Sequence, residues 1–244
     1  MAKKLPVCEL FGPTIQGEGA LAGTISHFLR LGGCPRRCVQ CDSLHAVLPE
    51  LIKMNATYMY PAEVTQAITE LPPAEWLTFS GGDPLMWKNL GEVVHGVKNR
   101  TSIKLAVETQ GDLWQDWLKL LDHVTVSPKA PGMDPEKEVK WDMLDEYVSN
   151  LSDRMCFKVV VFTERDLLLV RALIANYGIP MYISIGTDVR TFENVPEDID
   201  GVRSDILQRM AQVFDWVKED AILAKNVRIL PQTHVLIWGT QLGV

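Results

Sequence analysis

Short apolar runs and longer amphipathic runs alternate along this chain. Each apolar run is rich in β-branched and aromatic residues and has the length of a buried strand, whereas the runs between them space their apolar residues as one face of a helix. The pattern predicts strands at 26–31, 75–80, 103–108, 123–127, 156–162 and 180–185, and helices at 61–71, 85–98, 113–121, 141–148, 163–176 and 205–218. Such an alternation, without an internal repeat, is typical of parallel βαβ units.

A parallel barrel is the architecture that this alternation favours. The six predicted strands are fewer than the eight of a closed barrel, so we predict an α/β fold: an incomplete parallel (βα)6-type barrel, open on one side and closed by the terminal segments. The chain has 244 residues, of which 47% are hydrophobic, and we expect a single domain over residues 1–244. The glycine-punctuated segment 11–19 is expected to be a loop, and the Pro/Gly-rich segment 130–138 a surface loop.

The overall charge bears on the class of partner. The chain carries 31 acidic and 24 basic residues, a formal net charge of −7, which argues against binding to nucleic acid or to an anionic membrane and favours a small molecule. No apolar run has the length of a signal peptide or of a membrane span. Cys8 and Cys156 stand alone in apolar surroundings, so we expect a reducing, cytoplasmic location.

Unusual glycine-rich and polar segments follow the predicted strands, at 33–43, 80–83, 108–111, 127–129 and from 186 onward. In a parallel barrel the loops after the strands share one face, and ligands bind at that face. The sequence therefore predicts that these segments form one binding site.

The segment after the first predicted strand carries Cys34, Cys38 and Cys41 in the spacing CxxxCxxC. This spacing brings three thiolates into one loop and supplies no fourth thiolate nearby. A structural zinc site takes four protein ligands, whereas a [4Fe-4S] cluster held by three cysteines leaves one iron free to bind another molecule. We therefore favour a cluster. A zinc-stabilised binding module, with His45 or Cys8 as fourth ligand, is the alternative, and simple packing of three such closely spaced thiols is the least favoured interpretation.

An open iron of this kind is what adenosyl radical enzymes use. S-adenosylmethionine chelates it through its amino and carboxylate groups, and an electron from the cluster breaks a carbon–sulfur bond to release a 5′-deoxyadenosyl radical. Gly81-Gly82-Asp83-Pro84 resembles the motif with which this superfamily binds the methionine ammonium, at a strand end where only glycine lets the backbone approach closely. Its position, one βα unit after the cysteines, supports S-adenosylmethionine as a cofactor.

Several further motifs make the resemblance more specific. The chain resembles the 7-carboxy-7-deazaguanine synthase family over nearly its full length, by the motifs FGPTIQGEG from Phe11, Arg30, GCxxxCxxCDS from Gly33, SGGDP from Ser80, ETQG from Glu108, SPK from Ser127 and LPQTHVLIWG from Leu230. Two positions depart from the family pattern: many members have threonine in place of Ser43, and several have an aromatic residue near Ala46-Val47. Serine keeps the hydroxyl that could bind Mg²⁺, so the metal role is retained.

The resemblance implies a ring contraction in which 6-carboxy-5,6,7,8-tetrahydropterin becomes 7-carboxy-7-deazaguanine and ammonia is lost. A hydrogen at C6 of the pterin is abstracted, the radical skeleton rearranges and the hydrogen is returned, while Mg²⁺ orients the substrate. The resemblance also implies an electron donor such as a flavodoxin or a ferredoxin, and a homodimer. A glycyl-radical activase, which also uses CxxxCxxC, is the alternative within the same chemistry. It needs a surface for a large protein where this chain has the residues of a pterin pocket.

The resemblance also assigns roles to individual residues. By the family pattern the cluster is held by Cys34, Cys38 and Cys41, Mg²⁺ by Ser43, S-adenosylmethionine by Gly81, Gly82, Glu108, Thr109, Ser127, Pro128 and Lys129, and the pterin by Ile15, Gln16, Gly17, Glu18, Arg30, Ser80, Gln232, His234 and the terminal carboxylate of Val244.

Elementary chemistry agrees with some of these roles. A pterin edge presents amide-like donors and acceptors that Gln16 and Glu18 could pair, and a guanidinium such as that of Arg30 suits the substrate carboxylate. Plainer interpretations stay open: Arg30 as a solvated strand residue, His234 as a core histidine, and the apolar C-terminus as packing only.

Overall fold

A nine-stranded, mostly parallel sheet forms the centre of the molecule in our computed structural model, which describes residues 3–187, 199–239, 241 and 243. The strands are β1 Leu5–Ile15, β2 Ile25–Leu31, β3 Thr57–Met59, β4 Trp76–Gly81, β5 Lys104–Thr109, β6 His123–Val126, β7 Met155–Val161, β8 Met181–Ile185 and β9 Val227–Leu230. Their order is β3-β1-β2-β4-β5-β6-β7-β8-β9. From β2 to β9 all neighbours are parallel, and β1 is antiparallel to both β2 and β3. Within the described residues β3 and β9 do not pair, so the barrel is open, as predicted.

From β2 to β9 the helices lie between the strands in the predicted alternation, except between β5 and β6. The helices are α1 Pro49–Asn55, α2 Pro61–Thr69, α3 Leu90–Arg100, α4 Trp141–Leu151, α5 Leu167–Tyr177, α6 Ile199–Lys218, α7 Leu223–Asn226 and α8 Thr233–Trp238. In the part of the chain that is described, none of them combines the length and apolar character that a membrane span requires.

All six predicted strands are present, but the expectation of a loop over 11–19 is wrong for residues 11–15. Residues up to Ile15 belong to β1, which pairs with β2 and stacks the ring of Phe11 on that of Phe28 at 5.3 Å. The register shifts between Phe11 and Thr14, which lets the strand carry Gly12 and Pro13 as an irregularity. The glycine and proline therefore mark a bulge, not the end of the strand.

The predicted helix at 113–121 is also wrong. Only a short 3-10 turn, Asp116–Leu120, forms between β5 and β6. Trp117 and Leu118 are buried from this turn, and the Trp117 ring meets Phe79 edge-on at 6.5 Å. One turn is enough to bury both side chains in the core. The apolar residues here therefore fix the loop to the core and do not form one face of a helix. Helix α3 begins later than expected, at Leu90, because Pro84–Met86 forms a separate 3-10 turn after β4.

The two faces of the sheet differ in chemistry. Along β7, Phe157 and Val159 point into the apolar core, whereas Lys158 between them points to the opposite face. The other strands repeat this alternation, and the face away from the core carries Ser26, Arg30, Thr78, Ser80, Glu108, Thr125, Lys158 and Ser184. The interior of the open barrel is therefore polar.

Both terminal parts of the chain close on this polar interior. After β1 the chain turns back at 16–24, where Gln16 N–H donates to Thr24 O at 2.9 Å, and the 3-10 turn Gly19–Leu21 packs against β7 and β8. At the other end, Thr233 N–H at the start of α8 donates to Gly17 O at 3.1 Å. These contacts agree with the prediction that terminal segments close the open side.

Candidate active site

The cluster loop, residues 32–43, begins where β2 ends and is held by the loop after β4. Asp83 N–H donates to Gly33 O at 2.7 Å, and Gly82 N–H donates to Leu31 O at 3.1 Å. A Cβ on Gly82 would overlap the carbonyl oxygen of Gly33. The Gly81-Gly82 pair is therefore needed for the close approach of these two loops, which places the predicted S-adenosylmethionine segment directly beside the cysteines.

The three cysteines of the loop are half-buried and reduced. Burial raises the pKa of Cys41 to about 12 and that of Cys38 to about 11, and it also raises the pKa of Cys34. The thiols are therefore protonated at neutral pH, and binding iron must displace their protons.

The donor set suits a three-cysteine cluster better than a four-ligand zinc site. Within the described ranges no three His, Cys, Asp or Glu side chains stand together as a ready metal site, so Cys34, Cys38 and Cys41 share one loop without being gathered in a ligand geometry. His45 Nε2 lies 3.3 Å from Glu9 Oε2, and Cys8 belongs to β1, so neither completes a zinc set. The buried amide of Gln110 lies against Cys34, whose Sγ is 3.8 Å from Oε1, and its Nε2 has no partner among the described residues. That amide nitrogen is a spare donor of the kind that cluster sulfurs accept.

Arg36 ties the cluster loop to two other segments, and sequence reasoning missed it. The side chain is 2% exposed and donates to Asp112 through Nε at 2.7 Å and Nη2 at 2.8 Å. Nη1 donates to Asp134 Oδ2 at 3.2 Å, and Asp134 Oδ2 also accepts from Cys38 Sγ at 3.9 Å. The expectation that 130–138 is a surface loop is wrong in part, because Met133 and Asp134 are buried against the cluster loop.

The predicted S-adenosylmethionine residues gather at the carboxyl ends of β4, β5 and β6. Ser127 N–H donates to Thr109 O at 2.7 Å, and Lys129 Nζ donates to Ser127 Oγ at 3.2 Å. Thr109 Oγ1 donates to Asp83 Oδ2 at 3.0 Å, so its hydroxyl is used within the protein. Pro128 is buried between its neighbours. The set is brought together, and its role stays a prediction.

Glu108 points away from this group and into the barrel interior. Its carboxylate accepts from Gln16 Nε2 at 2.9 Å and from Lys158 Nζ at 3.1 Å. Lys158 also forms an ion pair with Glu18, whose second oxygen accepts from Gln232 Nε2 at 2.7 Å. Three predicted pterin residues and one predicted cofactor residue thus meet around a lysine that the sequence analysis did not select.

Glu18 and Lys158 shift each other's pKa within this interior network. Burial by itself would raise the pKa of Glu18, but the ammonium of Lys158, with His234 and the Gln232 hydrogen bond, lowers it to about 2. Burial would lower the pKa of Lys158, yet Glu108 and Glu18 raise it. Glu18 and Lys158 are therefore both charged at neutral pH.

A second group of predicted residues lies around Arg30. Its Nε donates to Glu9 Oε2 at 2.5 Å, and its Nη1 lies 3.4 Å from Ser43 Oγ. Ser43 Oγ donates to Asp42 Oδ1 at 3.0 Å. Ser80 pairs with Arg30 in the β2–β4 register. The Arg30 guanidinium therefore lies inside the barrel, paired with Glu9, and is not a solvated surface group.

The C-terminal residues reach both groups. A Cβ on Gly17 would overlap His234 Nδ1, so only glycine leaves room for the imidazole beside Gln16. A Cβ on Gly243 would lie 4.0 Å from Glu9 Oε1. Ile15 ends β1 next to this site. Val244 lies outside the described residues.

Comparison with known proteins gives consistent results. The family model described as a 4Fe-4S single cluster domain matches residues 15–130. The 7-carboxy-7-deazaguanine synthase of Bacillus subtilis (strain 168) is 34% identical over 100% of both chains. The crystal structure of QueE from Escherichia coli superposes with a TM-score of 0.64 at 22% identity, covering 95% of each chain. The native anSMEcpe structure with bound AdoMet and the Cp18Cys peptide has a TM-score of 0.51 at 15% identity, over 81% of this chain and 60% of that one.

Proposed function

The chain belongs to the 7-carboxy-7-deazaguanine synthase family, and from that membership we propose that it is a radical S-adenosylmethionine lyase acting on a carboxylated tetrahydropterin. The reaction converts 6-carboxy-5,6,7,8-tetrahydropterin to 7-carboxy-7-deazaguanine with loss of ammonia. Similarity to a synthase along the whole chain favours this activity over a glycyl-radical activase and over a zinc-stabilised module.

Cys34, Cys38 and Cys41 would hold a [4Fe-4S] cluster, and the segments around Gly82 and Ser127 would hold S-adenosylmethionine. When bound, these two groups supply the radical that removes a hydrogen from the substrate. The close packing of Gly82 on Gly33 supports this division, because it places the half-buried backbone at the end of β4 beside the cysteine loop.

The chain's own residues bind and orient the pterin between two charged groups. Glu18 is ionised and can accept from the guanidine-like edge of the ring, while Gln16 and Gln232 fix the carboxylates around it. Arg30 has donors left after its bond to Glu9 and suits the substrate carboxylate. The observation that supports the proposal most is that these groups, far apart in sequence, line one polar barrel interior beside the cluster loop.

Finer parts of the proposal rest on the family resemblance. They are a Mg²⁺ ion at Ser43, a flavodoxin or ferredoxin as electron donor, a homodimer and a cytoplasmic location. The position of Ser43 supports the metal role, because the Asp42 carboxylate lies 3.0 Å from its hydroxyl and a substrate carboxylate bound at Arg30 would bring further oxygen ligands close.

Anaerobic reconstitution with iron and sulfide, followed by mass spectrometry of turnover with the pterin, tests the proposal. We expect 7-carboxy-7-deazaguanine and one equivalent of ammonia, with S-adenosylmethionine regenerated. Cys38→Ala, carried through the same procedure, is the control without a cluster. Fully loaded enzyme that leaves the pterin unchanged would contradict the assignment.

A further inference from the structure

We propose that Lys158 is a positioning residue that keeps Glu18 ionised and separate from Glu108, so that Glu18 can accept hydrogen bonds from the pterin ring. The inference rests on the proposed function and adds to it a residue that the family motifs do not include. It begins from the position of Lys158 in the middle of β7, where every neighbour along the strand is apolar.

Among the described residues, the ammonium of Lys158 bonds to two carboxylates and to no other side chain. Its side chain is 6% exposed, and Nζ forms ion pairs with Glu18 Oε2 and, at 3.1 Å, with Glu108 Oε2. Each carboxylate keeps a second oxygen, which accepts from an amide: Gln16 on Glu108 and Gln232 on Glu18. A lysine held by two half-buried carboxylates in this way cannot turn out to solvent without leaving both carboxylates without their cation.

The protonation state of the two carboxylates depends on the cation that they share. With Lys158 present, its ammonium pairs with both carboxylates and favours the ionised form of each. Without the ammonium, the two half-buried carboxylates lose the cation that they share, and we expect one of them to take up a proton. A protonated Glu18 loses acceptor capacity toward the N–H groups of the pterin. Lys158 would therefore set the charge state of the ring-binding residue without itself contacting the ring.

Other charged groups face this network and must be considered in any pH dependence. His234 on α8 acts on Glu18, Asp42 of the cluster loop lies 3.5 Å from Gln232, and His123 on β6 lies beside Cys156 and is influenced by Glu108. These groups remain in every variant. The difference between a variant and the parent, rather than the absolute pH profile, therefore reports on Lys158.

The test measures binding of 6-carboxypterin, which has the same donor edge as the substrate and no abstractable hydrogen at C6. Calorimetry on anaerobic, cluster-loaded protein with S-adenosylmethionine, from pH 6 to pH 8.5, compares the parent with Lys158→Met, Lys158→Arg and the double variant Lys158→Met/Glu108→Gln. Lys104→Met, which removes an exposed lysine paired with Glu75, is the matched control. Iron content and the thermal midpoint of each variant are recorded alongside.

We expect Lys158→Met to weaken binding about tenfold or more, the scale of one charged hydrogen bond, with a loss that changes across this pH range as the shared proton titrates. Lys158→Arg should recover part of the affinity. The double variant should recover most of it and lose the added pH dependence, because a single carboxylate no longer needs the cation.

Parent-like binding by Lys158→Met at every pH, or no recovery in the double variant, would overturn this inference alone. A parent that does not bind the pterin would instead contradict the proposed function and, with it, this inference.

Discussion

Arg36 and Asp112 are joined by two parallel hydrogen bonds, Nε to Oδ2 at 2.7 Å and Nη2 to Oδ1 at 2.8 Å. This fork-to-fork pair is almost completely buried, and it fixes the backbone between Cys34 and Cys38 to the segment after β5. This pair therefore holds the cysteine loop against the barrel without the help of a bound cluster.

Arg36→Leu should destabilise the protein by about 3–5 kcal/mol, because it leaves Asp112 and Asp134 buried without their cation. It should also speed the loss of iron to a chelator. Chemical unfolding and the rate of chelation measure the two effects. Arg37→Leu, an exposed neighbour in the same loop, is the control. Iron retention equal to that of the parent would mean that the Arg36 ion pairs stabilise the fold but not the bound cluster.

Cys34→Ala, Cys38→Ala and Cys41→Ala should each abolish cluster binding, because a cubane with two cysteine ligands is poorly held. Cys8→Ala and Cys156→Ala should leave iron and sulfide content unchanged. Iron and sulfide analysis after anaerobic reconstitution distinguishes the two sets. Full loading of any of the first three variants would remove that cysteine from the ligand set.

Ser43→Ala should raise the Mg²⁺ concentration needed for half-maximal turnover, since it removes one neutral ligand, and high Mg²⁺ should restore part of the rate. Ser43→Thr should be close to the parent because it keeps the hydroxyl. Turnover measured over a range of Mg²⁺ concentrations gives both values. An unchanged Mg²⁺ dependence in Ser43→Ala would leave Ser43 only its bond to Asp42.

Asp83 should make stability depend on pH. Burial raises the pKa of Asp83 to about 6, although the N–H groups of Leu85 and Gln110 and the hydroxyl of Thr109 oppose the shift. A raised pKa in the folded state gives stability that is complete below the ordinary pKa of aspartate and is lost as the pH rises through about 6. Asp83→Asn should therefore gain up to about 3 kcal/mol relative to the parent between pH 4 and pH 8.

Urea unfolding of the cluster-free protein at several pH values measures this difference. Asp142→Asn, on the exposed first turn of α4, is the control and should show no such trend. A parent that is more stable relative to Asp83→Asn at pH 8 than at pH 4 would show that Asp83 is ionised and stabilised by its three donors.

Residues appended after Val244 should raise the KM for the pterin about tenfold, the effect of one lost charged contact, with folding and iron content unchanged. Gly243 approaches Glu9, the residue that holds Arg30. Steady-state kinetics of a protein with a short C-terminal extension, compared with the same extension at the N-terminus, tests this. Unaltered pterin kinetics would reduce the tail to packing.

The sequence by itself determined what depends on neighbouring residues. The cysteine spacing, the Gly81-Gly82 turn and the six strands of the parallel sheet follow from local pattern, because ligand spacing, close backbone approach and strand periodicity are set within a few residues. The open barrel follows from the alternation of these strands with helices. Full-length similarity to a known synthase agrees with the activity that these motifs predict.

Only the tertiary structure decided which polar residues meet. Lys158 and Glu18 are 140 residues apart, and Arg36 and Asp134 are 98 apart, so no local pattern joins them. The sequence did contain signs that these two residues are buried: a lysine inside the apolar strand MCFKVVV and an arginine between two cysteines. Buried charges require partners, so each residue predicts a charged neighbour. The partners come from other strands and loops, and their identity depends on the order of the strands in the sheet and on the face to which each side chain points.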